Sequence, residues 1–261
     1  MRFARLLGSF ILAASLLIPT AAPQTANPQA VQYLQRALAT LNAATPINDV
    51  TLTGSAHYIA GSDDETGTAT LKAVAGASRI DLNLSSGPRS EVVNTPASPA
   101  GTWSGPDGVA HAMAFHNLLI DPAWFFPALP IAHGVSSGYL ATYAGHETRD
   151  GQVVEHLAIS RPSPLETPSG APTMAHLSQM DFFLDSATFL PASMTFNIHP
   201  DNNALLDIPI EVRFSDYRSV NGVQIPFHVQ KYLNNVLSLD LQLETAALNT
   251  GLVASQFQVG E

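Results

Sequence analysis

Nine histidines, at positions 57, 111, 116, 133, 146, 156, 176, 199 and 228, are the side chains best suited to hold a metal ion or shuttle a proton. The strongest local case is His146 with His156, which a hairpin turning at Asp150-Gly151 would bring together beside Glu147 and Glu155. No HExxH or comparable ligand spacing supports a metal centre. His111 and His116 are five apart, about 140° around a helix, so they share no helical face. Histidines on the polar faces of strands are the simpler reading, and no metal site is predicted. The chain has no Cys, which removes thiol chemistry, and no GxSxG elbow precedes a helix. A Ser, His and Asp gathered from distant positions stays open as an alternative. Asp63 and Asp64 fall in the Gly61 to Gly67 turn, where solvated turn residues explain them. No glycine-rich loop joins a strand to a helix beside a basic residue, so no phosphate cradle is present. The expectation is therefore no catalytic residue and no cofactor.

The remaining chemical signal is apolar. Trp124-Phe125-Phe126 follows Leu118 and Leu119 in a stretch broken by Pro122, Pro127 and Pro130, and Trp103 stands alone among glycines and prolines. Large aromatics fill cores everywhere. They also line concave apolar ligand sites, which carry few polar groups. Trp103, Leu118, Leu119, Trp124, Phe125 and Phe126 are thus candidate cavity or lid residues, and alternation along the strands cannot separate the two roles.

The elements that must position them begin after a leader. Arg2 and Arg5 precede a 13-residue apolar run, Leu6 to Ile18, which ends at Pro19 before the small residues Thr20, Ala21 and Ala22. This reads as a signal peptide over residues 1–24, with an uncertain cut, and predicts a periplasmic or secreted protein. The run is shorter than the roughly 20 residues of a spanning helix, so no integral membrane segment is expected in the mature chain. Asn27 and Pro28 then suit a helix start. Ala30, Val31, Leu34, Leu38 and Leu41 repeat at helical spacing, which gives one amphipathic helix of about 15 residues. From Val50 onward the period becomes two. Alternation recurs at Val50 to Tyr58, Ala69 to Ala73, Ile80 to Leu84, Leu190 to Ile198, Ile208 to Phe214, Val223 to Val229 and Leu237 to Leu243. Asp150-Gly151, Asn221-Gly222 and Asn234-Asn235 supply hairpin turns. Residues 94–109 read as a loop, 110–131 as one or two short helices packed on the sheet, and 161–173 as an exposed proline-rich loop. Residues 25–261 form one domain, mainly β (α+β). Its sheet is a single curved antiparallel sheet or half-open barrel of about 10–11 strands, with an N-terminal helix and short helices over the concave side.

Charge narrows the partners. Lys and Arg number 11 against 21 Asp and Glu, a net charge of −10. Extended contact with nucleic-acid phosphates or anionic lipid surfaces is excluded as a main role, and no nucleic-acid partner is expected. A basic, membrane-bound protein partner suits this balance.

Two segments carry a family resemblance. Phe214-Ser-Asp-Tyr217-Arg-Ser-Val-Asn-Gly-Val-Gln-Ile-Pro-Phe227, continued by Asn249-Thr-Gly-Leu to Phe257, resembles the closing strands of the periplasmic outer-membrane lipoprotein carrier and sorting (LolA-like) family. Arg79-Ile-Asp-Leu through Gly87-Pro-Arg89 to Trp103, Asp107-Gly108 and His111 is similar to that family's strand, glycine turn and aromatic plus Asp-Gly segment. The resemblance implies a half-open barrel whose apolar cavity carries a lipid acyl chain or a lipoprotein, with no bond made or broken. Proline-rich insertions and the aromatic 118–131 segment set this chain apart from the pattern. Two rival readings remain at this point. One is a non-catalytic periplasmic protein-interaction or structural module with a filled concavity; the other is a hydrolase with a dispersed Ser, His and Asp site.

Overall fold

The Asn27 side chain caps the first helix, accepting the backbone N–H groups of Gln29 and Ala30 at 2.9 and 3.1 Å. That helix, α1 (Pro28–Asn42), buries Ala30, Leu34, Ala37 and Leu41 along one stripe. The computed structural model describes residues 27–42, 45–96, 99–136, 138–162 and 173–259; the signal segment and residues 163–172 of the proline-rich loop lie outside these.

Six strands follow α1: β1 (Asp49–Ala60), β2 (Asp63–Val74), β3 (Ala77–Leu84), β4 (Gly87–Asn94), β5 (Ala100–Ser104) and β6 (Ala110–Ala112). A long connection then carries α2 (Ala128–Val135) to β7 (Leu140–Arg149) and β8 (Gln152–Ser160). After α3 (Met174–Leu177) come β9 (Met180–Asp185), β10 (Pro191–Ile198), β11 (Ile208–Val220), β12 (Val223–Leu233) and β13 (Val236–Leu248). All thirteen join one antiparallel sheet in the order β6-β5-β4-β3-β2-β1-β13-β12-β11-β10-β9-β8-β7. Two meanders therefore meet where the first strand pairs with the last, from Val50 opposite Leu248 to Tyr58 opposite Leu239. The outer edges, β6 and β7, do not pair with each other, so the sheet stays open.

The turns read from sequence hold. Asp150, Asn221, Asn234 and Asn235 all have positive φ, as two-residue hairpin turns of the favoured twist require. Residues 94–109 are a different matter, because β5 lies inside them, hidden by its glycine and proline neighbours. The observed count of thirteen also includes β4 and β9, whose mixed polarity masks the alternation.

Irregularities in pairing at Thr53/Gly54, Tyr143/Gly145, Pro191/Ser193 and Lys231/Tyr232 bend the sheet. One apolar face turns inward, and α1 packs there against α2, β7 and β12. The connection between β6 and β7 crosses that same concave side. Phe125 and Phe126 are both fully buried in the core that the two meanders share. The expectation of short helices over the inner face matches this segment, which holds a helical turn at Phe115–Leu118 and then α2.

Candidate ligand cavity

The inner face is not filled along its whole length. Beyond Trp124 lies a cavity of about 600 Å³. Its walls come from Ile80 and Leu82 of β3, Ile210 of β11, Leu239 of β13, and Tyr58 and Ile59 of β1. Strands β3 and β11 are five places apart in the sheet, on the order of 24 Å if it were flat. Sharing one cavity wall requires strong curvature. A smaller space of about 140 Å³ adjoins it, lined by Val93, Met113, Asn117, Ile120, Asp121 and Phe196, with Glu91, Trp124, Ile198 and Lys231 common to both. At the rim stand Trp103, Leu233 and Val236, which are 48%, 40% and 64% exposed.

Three charged side chains interrupt the apolar wall of the larger space. Arg89 donates to Glu65 at 2.7 Å and lies over the Tyr58 ring. Hydrogen bonds from Ser86 and from the Arg89 guanidinium pull the Glu65 carboxyl down to about 2. This pair neutralises itself. Lys231 and Glu91 do not: among the described residues neither makes a side-chain hydrogen bond or an ion pair. The Lys231 ammonium lies 4.4 Å from the centre of the Trp124 ring, a cation–π contact. It therefore offers an unpaired positive charge at the bottom of an apolar space.

The six residues singled out in the sequence separate into two groups. Trp103 and Trp124 line the cavity, at its rim and its floor. Trp103 stacks on His111 with ring centres 4.4 Å apart. Leu118, Leu119, Phe125 and Phe126 are buried and stand outside both lining sets. Phe125 meets Trp124 edge-on with ring centres 5.6 Å apart, and Leu118 packs against Gly101 of β5. Gly101 shows how close that packing is, since a Cβ there would sit 2.7 Å from Leu118 Cδ2 and 2.8 Å from the Met113 sulfur. Asp121 fixes the same segment: its Oδ1 accepts the Ala123 N–H at 2.9 Å and its Oδ2 meets His133 Nδ1 at 2.5 Å. The hydrogen bond that His133 donates to the Asp121 carboxylate holds the His133 pKa above its ordinary value.

Most of the wall escaped the sequence reading. A signal for it exists in β12, whose inward row runs Val223, Ile225, Phe227, Val229 and then Lys231. A charge continuing an apolar row is a mark of a site. Glu91, in phase with Val93 on β4, carries the same mark.

Polar clusters elsewhere do not enter the cavity. His146 pairs with Glu155 in register, and His156 lies opposite Gly145, so the two histidines point to opposite faces of the hairpin. Ser215 Oγ lies 3.1 Å from His228 Nδ1, and His228 Nε2 lies 3.0 Å from Asp240 Oδ1. This trio is a ladder across β11, β12 and β13 on the sheet's outer face, and none of its members lines either space. Asp240 also accepts from Gln230 and Gln242. Gly134-Val-Ser136-Ser-Gly138 spells GxSxG, but it runs from α2 toward a strand, the reverse of a nucleophile elbow.

No family model matches the sequence, and no curated protein matches it either. Solved structures do. An outer membrane lipoprotein-sorting protein domain from Vibrio parahaemolyticus superposes with a TM-score of 0.53 at 13% identity, covering 88% of this chain and 96% of that one. A LolA superfamily protein from Nitrosomonas europaea gives 0.54 at 10% identity, with 88% and 97% covered. A DUF1329 family protein from Desulfovibrio piger gives 0.51 at 9% identity, with 88% and 96% covered. The chain thus has the LolA-like fold, in agreement with the resemblance drawn from its closing strands.

Proposed function

We propose that this chain is an exported carrier or binding protein that holds an acyl chain, free or attached to a lipoprotein, in its concave cavity and performs no bond chemistry. The observation that carries the reading is an unfilled apolar space of about 600 Å³ walled by strands from both meanders. Its size lies within the range of roughly 300–1,000 Å³ usual for small-molecule sites. Taking a methylene as comparable to a water's share of liquid, roughly 30 Å³, the space admits on the order of twenty such groups. The likeness to a lipoprotein-sorting domain and to a LolA superfamily protein supports the same class of cargo. A polar head group would meet Lys231 and Glu91, which make no side-chain hydrogen bond or ion pair among the described residues.

Handing over such a cargo calls for a docking surface. The exposed apolar rim of Trp103, Leu233 and Val236 suits that role, and the net charge of −10 favours a basic membrane-bound protein partner. No helix among the described residues is long and apolar enough to cross a membrane. The signal segment points to a periplasmic or secreted location. An interaction module with a plugged interior fits less well, because the interior retains this space.

Native mass spectrometry of the exported protein, purified without detergent, tests the proposal. A co-purifying lipid or lipopeptide that dissociates on activation is the expected result. A bare protein mass, together with no uptake of an added acyl probe, would overturn it.

A further inference from the structure

The sequence reading predicts no metal site, since no two histidines stand at ligand spacing. Folding gathers three ligands from separate segments: His176 in α3, His199 just after β10 and Asp207 just before β11. His176 Nε2 lies 3.0 Å and His199 Nδ1 lies 3.4 Å from the same Asp207 oxygen, Oδ1. One donor atom from each of the three falls within 4.8 Å of the others. From this convergence we infer that His176, His199 and Asp207 form a binding site for a zinc-class divalent cation.

Three observations separate this group from an ordinary ion pair. First, the other histidine–aspartate pairs among the described residues, His57 with Asp64, His133 with Asp121, His156 with Asp181 and His228 with Asp240, are one to one, whereas here two imidazoles converge on one carboxylate. Second, His199 has a side chain only 1% exposed: its Nδ1 faces both the Leu206 carbonyl oxygen at 3.2 Å and Asp207, while its Nε2 is buried with no hydrogen-bond partner among the described residues. A core position does not ordinarily hold an imidazole with unused hydrogen-bonding capacity. Third, His199 is held in place before any ion arrives: its backbone N–H donates to Asn117 Oδ1 at 2.9 Å, and its carbonyl accepts from Asn117 Nδ2 at 2.8 Å.

The donor set fits the ion. Zinc bonds of about 2.0–2.1 Å in a tetrahedron place ligand atoms roughly 3.3 Å apart, close to the two spacings given above. Two imidazole nitrogens and one carboxylate oxygen are its usual partners. His176 and Asp207 are each 42% exposed, which leaves an entry path and a fourth position for water. Bound metal would fasten α3 to the connection between β10 and β11. Asn117, which holds the His199 backbone, lines the smaller space, so the site stands beside it while its existence does not depend on the carrier reading.

Titration of untagged, chelator-stripped full chain with Zn²⁺ against a chromophoric competitor tests this, with Co²⁺ absorption as a second readout. One equivalent bound at submicromolar affinity and a tetrahedral cobalt spectrum are expected. His176→Ala and Asp207→Asn should each weaken binding by about tenfold or more, while His57→Ala leaves it unchanged. Because residues 176 and 207 are partly exposed, unchanged melting of the metal-free variants will separate lost ligation from lost folding. Absence of Zn²⁺ uptake, uptake that survives both substitutions, or equal loss in His57→Ala would each overturn the inference.

Discussion

If hydrocarbon occupies the cavity, affinity must depend on chain length in a calculable way. Each buried methylene contributes about 0.8 kcal/mol, so a two-carbon extension should tighten binding by roughly fifteenfold, given about 1.4 kcal/mol per factor of ten. Isothermal titration with saturated alkanoates from eight carbons upward, kept below micelle-forming concentrations, reads this slope directly. The gain must end when the space is full. Leu82 stands in the wall and is only 6% exposed, so Leu82→Trp projects bulk into the cavity. Tryptophan carries six more non-hydrogen atoms than leucine, and the variant should stop gaining about six carbons earlier than the parent. Short chains should bind both proteins alike, which separates occlusion from misfolding. The heat capacity change should be negative, as apolar burial requires. A flat response to chain length, or identical curves for the two proteins, would refute the cavity as the place where chains are held.

Other expectations follow from the charges. Lys231→Met removes the cavity's unpaired cation; alkanoate binding should weaken about tenfold while the matching neutral alcohol is unaffected, as titration of both will report. Asp49 is 3% exposed, and although burial pushes its pKa up, hydrogen bonds from Thr250, Gly251 and Leu252 hold it below the ordinary value. Asp49→Ala frees the segment after β13 and should cost about 3 kcal/mol, or roughly 6–12 °C in calorimetric melting temperature. Glu65 takes up its proton near 4.5 when unfolded and at about 2 when folded, so its stabilisation is complete above pH 5 and drains away as pH falls toward 2. Glu65→Gln should flatten the loss of urea stability between pH 5 and pH 3, and an unchanged acid slope would count against that assignment.

How much of this was legible beforehand varies with the physics involved. The helix and the long alternating strands were, because Leu34 and Leu41 or Ile80 and Leu82 repeat at the period of a single buried face. Hairpins were, because Asn221-Gly222 and its counterparts accept positive φ. Strand β5 was not, since Gly101 serves close approach to Leu118 and Met113, which no periodicity reports. The split among the aromatics was also hidden. Phe125 and Phe126 are buried while Trp124 reaches the cavity because of how the β6–β7 connection crosses the concave side, a long-range outcome. Lys231 could have been noticed as a charge continuing the apolar row of β12, whereas His176, His199 and Asp207 meet only once β10 and β11 are in place.

The central claim is that an acyl chain lies against Trp124 inside the curved sheet. A Trp103→Phe background leaves Trp124 as the single tryptophan, and a brominated long-chain alkanoate then reports contact by quenching its fluorescence. Saturable quenching, reversed by unbrominated alkanoate and reduced by Leu82→Phe in parallel titrations, is the result expected. Emission unchanged at probe concentrations that saturate the protein would contradict the account.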